Sequence, residues 1–296
     1  MAVLLCACGA TSSSSATAPP GQGKPTIVLG GKGSTEQLLL GELYAQALRA
    51  QGYVVVLEPN LGDTEQINNA FQRAQIDAYP EDLGELTATV AGHTAPTSSE
   101  SETEQIASQY ERAQGASVMP ATPFSDAGAA VLLASLAKQR DLSSIEQLKA
   151  LPFRLKFGGQ AGDESQYSGF TGVESAYGAA NLQYVSLAAG SSIYDALDSH
   201  LVQVGIGQVT DPQLAAGTYA VLSDPKGIFG FHHVALIIRT SLLSRLGPQF
   251  QRTYAAMTDL LTLSTMRSLK TAVELNGEMP AAAAHSFLLA NHLLTA

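Results

Sequence analysis

Short apolar segments alternate with amphipathic ones along most of the chain from Thr26 onward. In the first unit, residues 26–30 predict a strand, and apolar residues at 40, 43, 44, 47 and 48 recur at helical spacing on one face. Ser34, followed by Gln37, is the capping-box signature of that helix's start, and Gly52 ends it. This alternation is typical of an α/β fold with a mostly parallel sheet covered by helices.

The same alternation resumes after the proline-containing segment 120–124. Strands are predicted at 53–58, 76–79, 129–134, 154–158, 183–187, 202–207, 219–223 and 233–238, and further helices at 64–73, 144–151, 169–177 and 192–200. The tail at 242–294 is predicted to be nearly all helical. The polar segment 93–104 indicates a solvated loop and a helix start rather than a metal site.

Composition places the chain among globular proteins and narrows its partners. With 296 residues, of which 45% are hydrophobic, it can bury a sizeable core. Its 26 acidic and 16 basic residues give a net charge of -10, which argues against a nucleic-acid partner because such partners require a basic surface. Beyond the N-terminus, no apolar run approaches the roughly 18 to 20 residues of a membrane-spanning helix.

The two cysteines of the chain, Cys6 and Cys8, lie in its first ten residues. Leu5-Cys6-Ala7-Cys8-Gly9 resembles a bacterial lipobox, so Cys8 is the expected lipidation site, and the Ser/Thr/Pro/Gly-rich run 9–23 is predicted to be a flexible tether. The apolar stretch is short for a secretory signal and lacks a basic start, so we expect a truncated signal. The alternative is a cytoplasmic N-terminus with two incidental cysteines.

Several segments match, in order, segments of one family of transport proteins. The strongest is IVLGGKGSTEQLLLGELYAQAL at 27–48; others are LEPNLGDTEQINNAF at 57–71, QIDAYPE at 75–81, the PF-x-D of 123–126, LKFGG at 155–159, Tyr177-Gly178, Thr210-Asp211 and VLSDPKGIF at 221–229. From about residue 26 onward, the chain thereby resembles the glycine betaine/choline/carnitine (osmoprotectant) substrate-binding proteins of ABC importers.

The resemblance implies a type II periplasmic-binding-protein fold, a Venus flytrap of two α/β lobes joined by a two-stranded hinge. We expect a signal remnant and tether at 1–23, a first lobe at 24–122 plus 229–296, and a second lobe at 123–228. It also implies a monomer that binds a small solute and ABC permease subunits, with no enzymatic activity, cofactor or metal. Such a protein would be extracytoplasmic and anchored to the cell membrane by its lipid.

Where this family holds a quaternary ammonium in an aromatic cage, the chain carries different residues. Asp82 stands at one tyrosine position, Gly128 at another aromatic position, and His232 where a tyrosine often lies. Gln166 replaces the arginine that clamps a betaine carboxylate and cannot form that bidentate ion pair. The resemblance therefore predicts a polar or cationic solute, such as a polyol, a sugar or a protonated amine, rather than a caged betaine.

The predicted ligand-binding residues are Lys32, Ser34, Gln37, Tyr79, Asp82, Glu85, Asp126, Gln166, Tyr167, Gln208, Thr210, His232 and His233. Some of them also have purely structural explanations. Gln37 completes a helix cap, Tyr79 suits a strand core, and Asp82 with Glu85 suits a solvated turn. His232 and His233 are adjacent on a predicted strand, so they point to opposite faces and are poorly placed to share a metal ion.

Two other classes of function compete with solute capture. An enzyme would need a constellation that the chain does not show, since it has no G-x-S-x-G elbow, no H-E-x-x-H motif and no cysteine after residue 8. A ligand-sensing or scaffolding lipoprotein with a degenerate binding-protein fold remains the alternative, because the cage positions have changed.

Overall fold

The computed structural model describes residues 18–93, 96–97 and 99–294. In this part of the chain, strands β1 (Ile27–Gly30), β2 (Val55–Glu58), β3 (Ala78–Asp82), β4 (Ala116–Val118) and β10 (Val234–Arg239) form one sheet, in the order β2-β1-β3-β10-β4. Strands β5 (Gly128–Leu133), β6 (Leu155–Gly159), β7 (Leu182–Ser186), β8 (Val204–Gln208) and β9 (Tyr219–Leu222) form the second, in the order β7-β6-β8-β5-β9.

Helices cover both sheets, as the alternating pattern predicts. The first half contains α1 (Thr35–Ala50), α2 (Thr64–Gln72), α3 (Leu83–Thr89), α4 (Glu100–Ala113) and α5 (Ala134–Arg140). They are followed by α6 (Phe170–Tyr177), α7 (Ile193–Asp198), α8 (Thr240–Leu246), α9 (Pro248–Thr258), α10 (Leu263–Lys270) and α11 (Pro280–Ala290). No helix within the described residues is both long and apolar enough to cross a membrane.

The first sheet is mixed and is buried on both faces. Its strands β1, β2 and β3 are parallel, whereas β10 runs antiparallel to β3 and β4. Leu40 and Leu43 of α1 pack on one face with the C-terminal helices, and Phe71 and Leu86 pack on the other. Burial on both faces accounts for the nearly continuous apolar sequence of β10.

The second sheet repeats this arrangement with a core of its own. Strands β6, β7 and β8 are parallel, and β5 runs antiparallel to β8 and β9. Leu132 and Phe157 belong to the core on one face, and Val131 and Leu197 to the core on the other. Two sheets with separate cores, connected by the chain, form the predicted two-lobed α/β architecture.

The chain passes between the sheets twice, through 119–127 and 223–233. The two segments run side by side: Ser125 and His233 form an antiparallel bridge, and the Asp126 N–H donates to the carbonyl of His232 at 2.8 Å. The C-terminal helices then return to the first sheet, where α11 packs on α1. Arg267 of α10 also reaches the residue that follows β8 of the second sheet, donating to the Val209 carbonyl at 2.7 Å.

Some local predictions need correction. The strand predicted at 76–79 lies at Ala78–Asp82, because Asp82 both ends β3 and caps α3. The helix predicted at 144–151 is a 3₁₀ turn over Ile145–Ala150. Strand β4 and helices α3 and α5 were not predicted; they are three to seven residues long, too short to show a clear period.

Candidate ligand-binding site

A cavity of about 280 Å³ lies between the two sheets, beside the segments through which the chain crosses. It is lined by Lys32, Ser34, Glu36, Gln37, Asp82, Glu85, Asp126, Gly128, Ser168, Gln208, Phe229 and His232. Eight of the thirteen predicted residues are in this set: Lys32, Ser34, Gln37, Asp82, Glu85, Asp126, Gln208 and His232. The structure therefore brings together residues that are up to two hundred positions apart.

The N-terminus of α1 forms one wall of the cavity. Ser34 caps this helix, its hydroxyl accepting from the Gln37 N–H at 3.4 Å. Glu36 and Gln37 are each only 5% exposed, and Glu36 Oε2 and Gln37 Oε1 have no hydrogen-bond partner among the described residues. The wall thus presents two buried acceptors without donors, and burial of unpaired acceptors is costly.

Lys32 enters the cavity from the turn between β1 and α1. Its Nζ donates to Glu81 Oε1 and, at 3.0 Å, to Thr64 Oγ1. Glu81 is fully buried within β3; burial raises the pKa of its carboxyl to about 7, although the charge of Lys32 opposes that increase. Glu81 ends the family-like segment QIDAYPE at 75–81, yet it is not among the residues predicted to bind the ligand. The Glu81 carboxylate thus partly neutralises the charge of Lys32.

Asp82 and His232 form an ion pair at the cavity wall. Asp82 Oδ1 caps α3 by accepting from the Glu85 N–H at 3.0 Å, and Oδ2 lies 2.9 Å from His232 Nδ1. Burial lowers the pKa of His232, but the Asp82 charge and hydrogen bond outweigh it and raise that pKa to about 9. His232 is therefore an imidazolium at neutral pH. A Cβ at Gly84 would lie 2.9 Å from its ring, so glycine permits this close approach.

Asp126 lies on the first crossing segment and faces the cavity. Its Oδ2 accepts from Gln208 Nε2 at 3.1 Å, and its Oδ1 accepts from the Thr210 hydroxyl, which in turn accepts from Lys270 Nζ at 3.1 Å. Burial raises the pKa of Asp126 to about 6. Burial and the neighbouring charge of Asp126 also raise the pKa of Glu36 well above its ordinary value.

An aromatic ring covers Gly128, where the resemblance implies that the family carries an aromatic residue. A Cβ at Gly128 would lie 2.8 Å from Cδ1 of Phe229. Phe229 is positioned by its N–H, which donates to Asp224 Oδ2 at 3.0 Å, while the Tyr177 hydroxyl donates to Asp224 Oδ1. The segments 221–229 and Tyr177-Gly178 therefore combine to position Phe229, which is not among the predicted ligand-binding residues.

Three predicted residues do not line the cavity. Tyr79 is fully buried because β3 is a central strand, and its hydroxyl donates to Glu111 Oε1 at 3.2 Å. Thr210 is also fully buried, and acts on the site only through Asp126. His233 points away from His232, its Nδ1 2.8 Å from the Thr122 carbonyl, as strand alternation predicts.

The remaining predicted residues, Gln166 and Tyr167, line a neighbouring cavity of about 400 Å³. They lie in the loop before α6, on the side of the second sheet. Cys8 lies outside the described residues.

Comparisons with known proteins agree with this architecture. The family model described as "Substrate binding domain of ABC-type glycine betaine transport system" matches residues 25–290. A glycine-betaine-binding protein of Pseudomonas aeruginosa is 26% identical over 284 residues, which cover 91% of this chain and 89% of that protein.

Solved structures with similar folds include a glycine betaine/carnitine/choline ABC transporter protein, with a TM-score of 0.81 and 20% identity over 90% of this chain and 99% of that one. Apo YehZ from Escherichia coli has a TM-score of 0.76 and 21% identity over 92% and 99% of the two chains. At these identities the structural likeness shows the fold, and the family match shows the relationship. The chain belongs to the family of substrate-binding domains of ABC-type glycine betaine transport systems.

Proposed function

We propose that this substrate-binding protein captures a small solute rich in hydrogen-bond donors, a hydroxylated compound or a protonated amine, and delivers it to ABC permease subunits without catalysing a reaction. The observation that carries the proposal is the pair of buried acceptors, Glu36 Oε2 and Gln37 Oε1, which line the cavity without partners. A solute with N–H or O–H groups would satisfy both acceptors. A trimethylammonium group has no such donors and would leave both unpaired.

The charges around the cavity support the same class of ligand. Asp82, Glu85 and Asp126 line it together with the cationic Lys32 and His232, which are already paired with Glu81 and Asp82, so the unpaired charge is acidic and disfavours the carboxylate of a zwitterion such as glycine betaine. Among the described lining residues there is no arginine, and Phe229 is the only phenyl or phenol ring. A cation cage normally uses several such rings, each contributing about 0.5 to 2 kcal/mol.

Calorimetric titration at pH 7.5 with glycine betaine, choline, carnitine, trehalose and putrescine tests this specificity. We expect trehalose or putrescine to bind at least a hundredfold more tightly than glycine betaine. Micromolar binding of glycine betaine would overturn the proposal.

We further propose that ligand capture closes two lobes, one at 24–122 plus 229–296 and the other at 123–228. The paired crossing segments, joined at Ser125 and His233, support a two-stranded hinge. Small-angle scattering should show a smaller radius of gyration at saturating solute. An unchanged radius would contradict closure.

The cellular location of the protein is also part of the proposal. Proteins of this family act outside the cytoplasmic membrane, and we propose that a lipid on Cys8 anchors this chain there as a monomer. Two acyl chains on one cysteine would hold it firmly, whereas one would not. Membrane fractionation of the full natural protein and its Cys8→Ser variant tests the anchor, and identical partitioning of the two would refute it.

A further inference from the structure

A second cavity, of about 400 Å³, adjoins the acidic one. The two share Glu85, Ser168, Phe229 and His232 as lining residues. Because both cavities use these residues as walls, they are neighbouring compartments of one cleft. A solute longer than the first compartment can therefore extend into the second.

The second compartment has a different chemical character from the first. Its lining residues include the aromatic Tyr167, Phe229 and Phe231 together with Ile228 and Pro96. Tyr167 is 47% exposed, which is unusually high for an aromatic ring and leaves its surface available for contact. The first compartment is acidic and rich in acceptors, whereas the second offers aromatic faces.

The aromatic residues of this compartment come from both sides of the cleft. Phe231 lies on the crossing segment beside α3, whereas Tyr167 belongs to the loop before α6, over the second sheet. This loop is held by the Thr171 hydroxyl, which donates to the Glu164 carbonyl at 2.7 Å, and by the Gly169 N–H, which donates to the Gln166 carbonyl at 3.1 Å. Tyr167 is thus presented by a braced loop rather than by a free one.

We propose that the solute is an elongated amphipathic molecule, with its hydroxyl or ammonium end in the acidic compartment and an aryl body packed between Tyr167 and Phe231. This inference rests on the proposed function, because it assumes the donor-rich end described above. An aryl body suits the compartment because aromatic pairs gain more than their buried area alone provides. The compartments, of about 280 and 400 Å³, individually fall near the lower end of the roughly 300–1,000 Å³ range of ligand sites, and together leave room for such a molecule.

Paired probes that differ only in an aryl group test the inference. Calorimetry would compare ethylamine with 2-phenylethylamine, and glucose with phenyl β-glucoside, on the full 296-residue chain. For the pair whose short member binds, we expect the aryl compound to bind at least tenfold more tightly. Tyr167→Ala should reduce that ratio below threefold and leave the affinity of the short compound unchanged within twofold.

A matched control is Phe153→Ala, since Phe153 is another exposed aromatic residue, 37% exposed, and lines neither cavity. This variant should keep the wild-type ratio. Three results would refute binding of an aryl body in the second compartment while leaving the proposed function intact. They are equal affinities within each pair, an unchanged ratio in Tyr167→Ala, and an equal loss of affinity for both members of a pair in that variant. If none of the four compounds binds while trehalose or putrescine does, the inference fails and the proposed function stands; if trehalose and putrescine also fail to bind, both fail.

Discussion

Replacing Asp126 with asparagine tests whether a buried negative charge recognises the solute. The substitution preserves the size of the side chain, and its amide oxygen can still accept from the Thr210 hydroxyl. The Gln208 amide can turn to accept from the new NH₂ group, so the hydrogen-bond pattern is retained. Asp126→Asn therefore removes a charge with little change in shape.

The magnitude of the effect depends on the class of solute. An ammonium about 4 Å from the carboxylate would gain about 4 kcal/mol at an effective dielectric constant of about 20. The positive charge of Lys270, near the Thr210 hydroxyl, offsets part of that attraction. We expect a net loss of about 2 to 3 kcal/mol in Asp126→Asn, which is a rise in Kd of about 30- to 150-fold. A hydroxyl compound would lose one charge-assisted hydrogen bond, worth about 1.5 to 3 kcal/mol.

The assay is calorimetric titration of wild type and variant at pH 7.5 with whichever of putrescine and trehalose binds the wild type. Asp259→Asn is the matched control, because Asp259 is an exposed aspartate at the end of α9. The control should bind as the wild type does, within twofold. An unchanged Kd in Asp126→Asn would refute the assignment of this carboxylate to the binding site.

The pH dependence has a definite sign. Because burial raises the pKa of Asp126 to about 6, its carboxylate gains a proton as the pH falls from 7.5 to 5. Wild-type affinity for an amine should therefore fall about tenfold across this range. His232, with a pKa raised to about 9, stays charged throughout. Asp126→Asn should show a smaller dependence, to which Glu36 and Glu81 contribute, since burial raises the pKa of both carboxyls, that of Glu81 to about 7.

Three further substitutions separate site effects from stability effects. Gly84→Ala would place a Cβ 2.9 Å from the His232 ring, so we expect at least tenfold weaker binding in calorimetry and about 1 to 3 kcal/mol lower stability. Thr210→Val removes the buried hydroxyl, and denaturant titration should show a loss of about 1 to 3 kcal/mol; no loss would contradict its bracing role. Burial raises the pKa of the Glu111 carboxyl to about 7 in the folded state. In the unfolded state this carboxyl loses its proton near pH 4.5, so the wild type loses stability as the pH rises from about 4.5 to 7. Glu111→Gln can still accept a hydrogen bond from Tyr79. In thermal unfolding this variant should be about 2 to 3 kcal/mol more stable than the wild type at pH 8 and equally stable at pH 4. Equal stability of the two proteins at both pH values would contradict the linkage.

The parts of the fold that the sequence predicted are those with strong local signals. The strand, turn and helix from Ile27 to Ala50 follow from apolar periodicity, a capping residue and a stop signal, and the structure has them nearly as predicted. This unit places Lys32, Ser34 and Gln37 together at the cavity, so three site residues could be found locally. Family resemblance supplied the two-lobed arrangement, which no local pattern determines.

The parts that the sequence did not predict depend on long-range contacts. Glu36 is an acidic residue in the first turn of a helix, where acids are common, and only the tertiary structure buries it beside Asp126. Conversely, Tyr79 follows the family pattern, yet the central position of β3 places its ring in the core. Burial of a side chain is a property of the assembled sheet, and a single strand does not reveal it.

The exchange between Gly128 and Phe229 shows why comparison position by position gives an incomplete account of a binding site. Glycine at 128 removes an aromatic side chain, but the ring of Phe229, a hundred residues later, lies where that side chain would begin. Aromatic surface is therefore not simply lost from this cleft. Phe229 also belongs to both compartments, so its ring lies where the acidic lining gives way to Tyr167 and Phe231. The specificity of this protein then follows from how hydrogen-bond acceptors and aromatic residues are distributed along the cleft. Probes with and without an aryl group therefore distinguish ligand classes that substitutions at the cage positions alone would not distinguish.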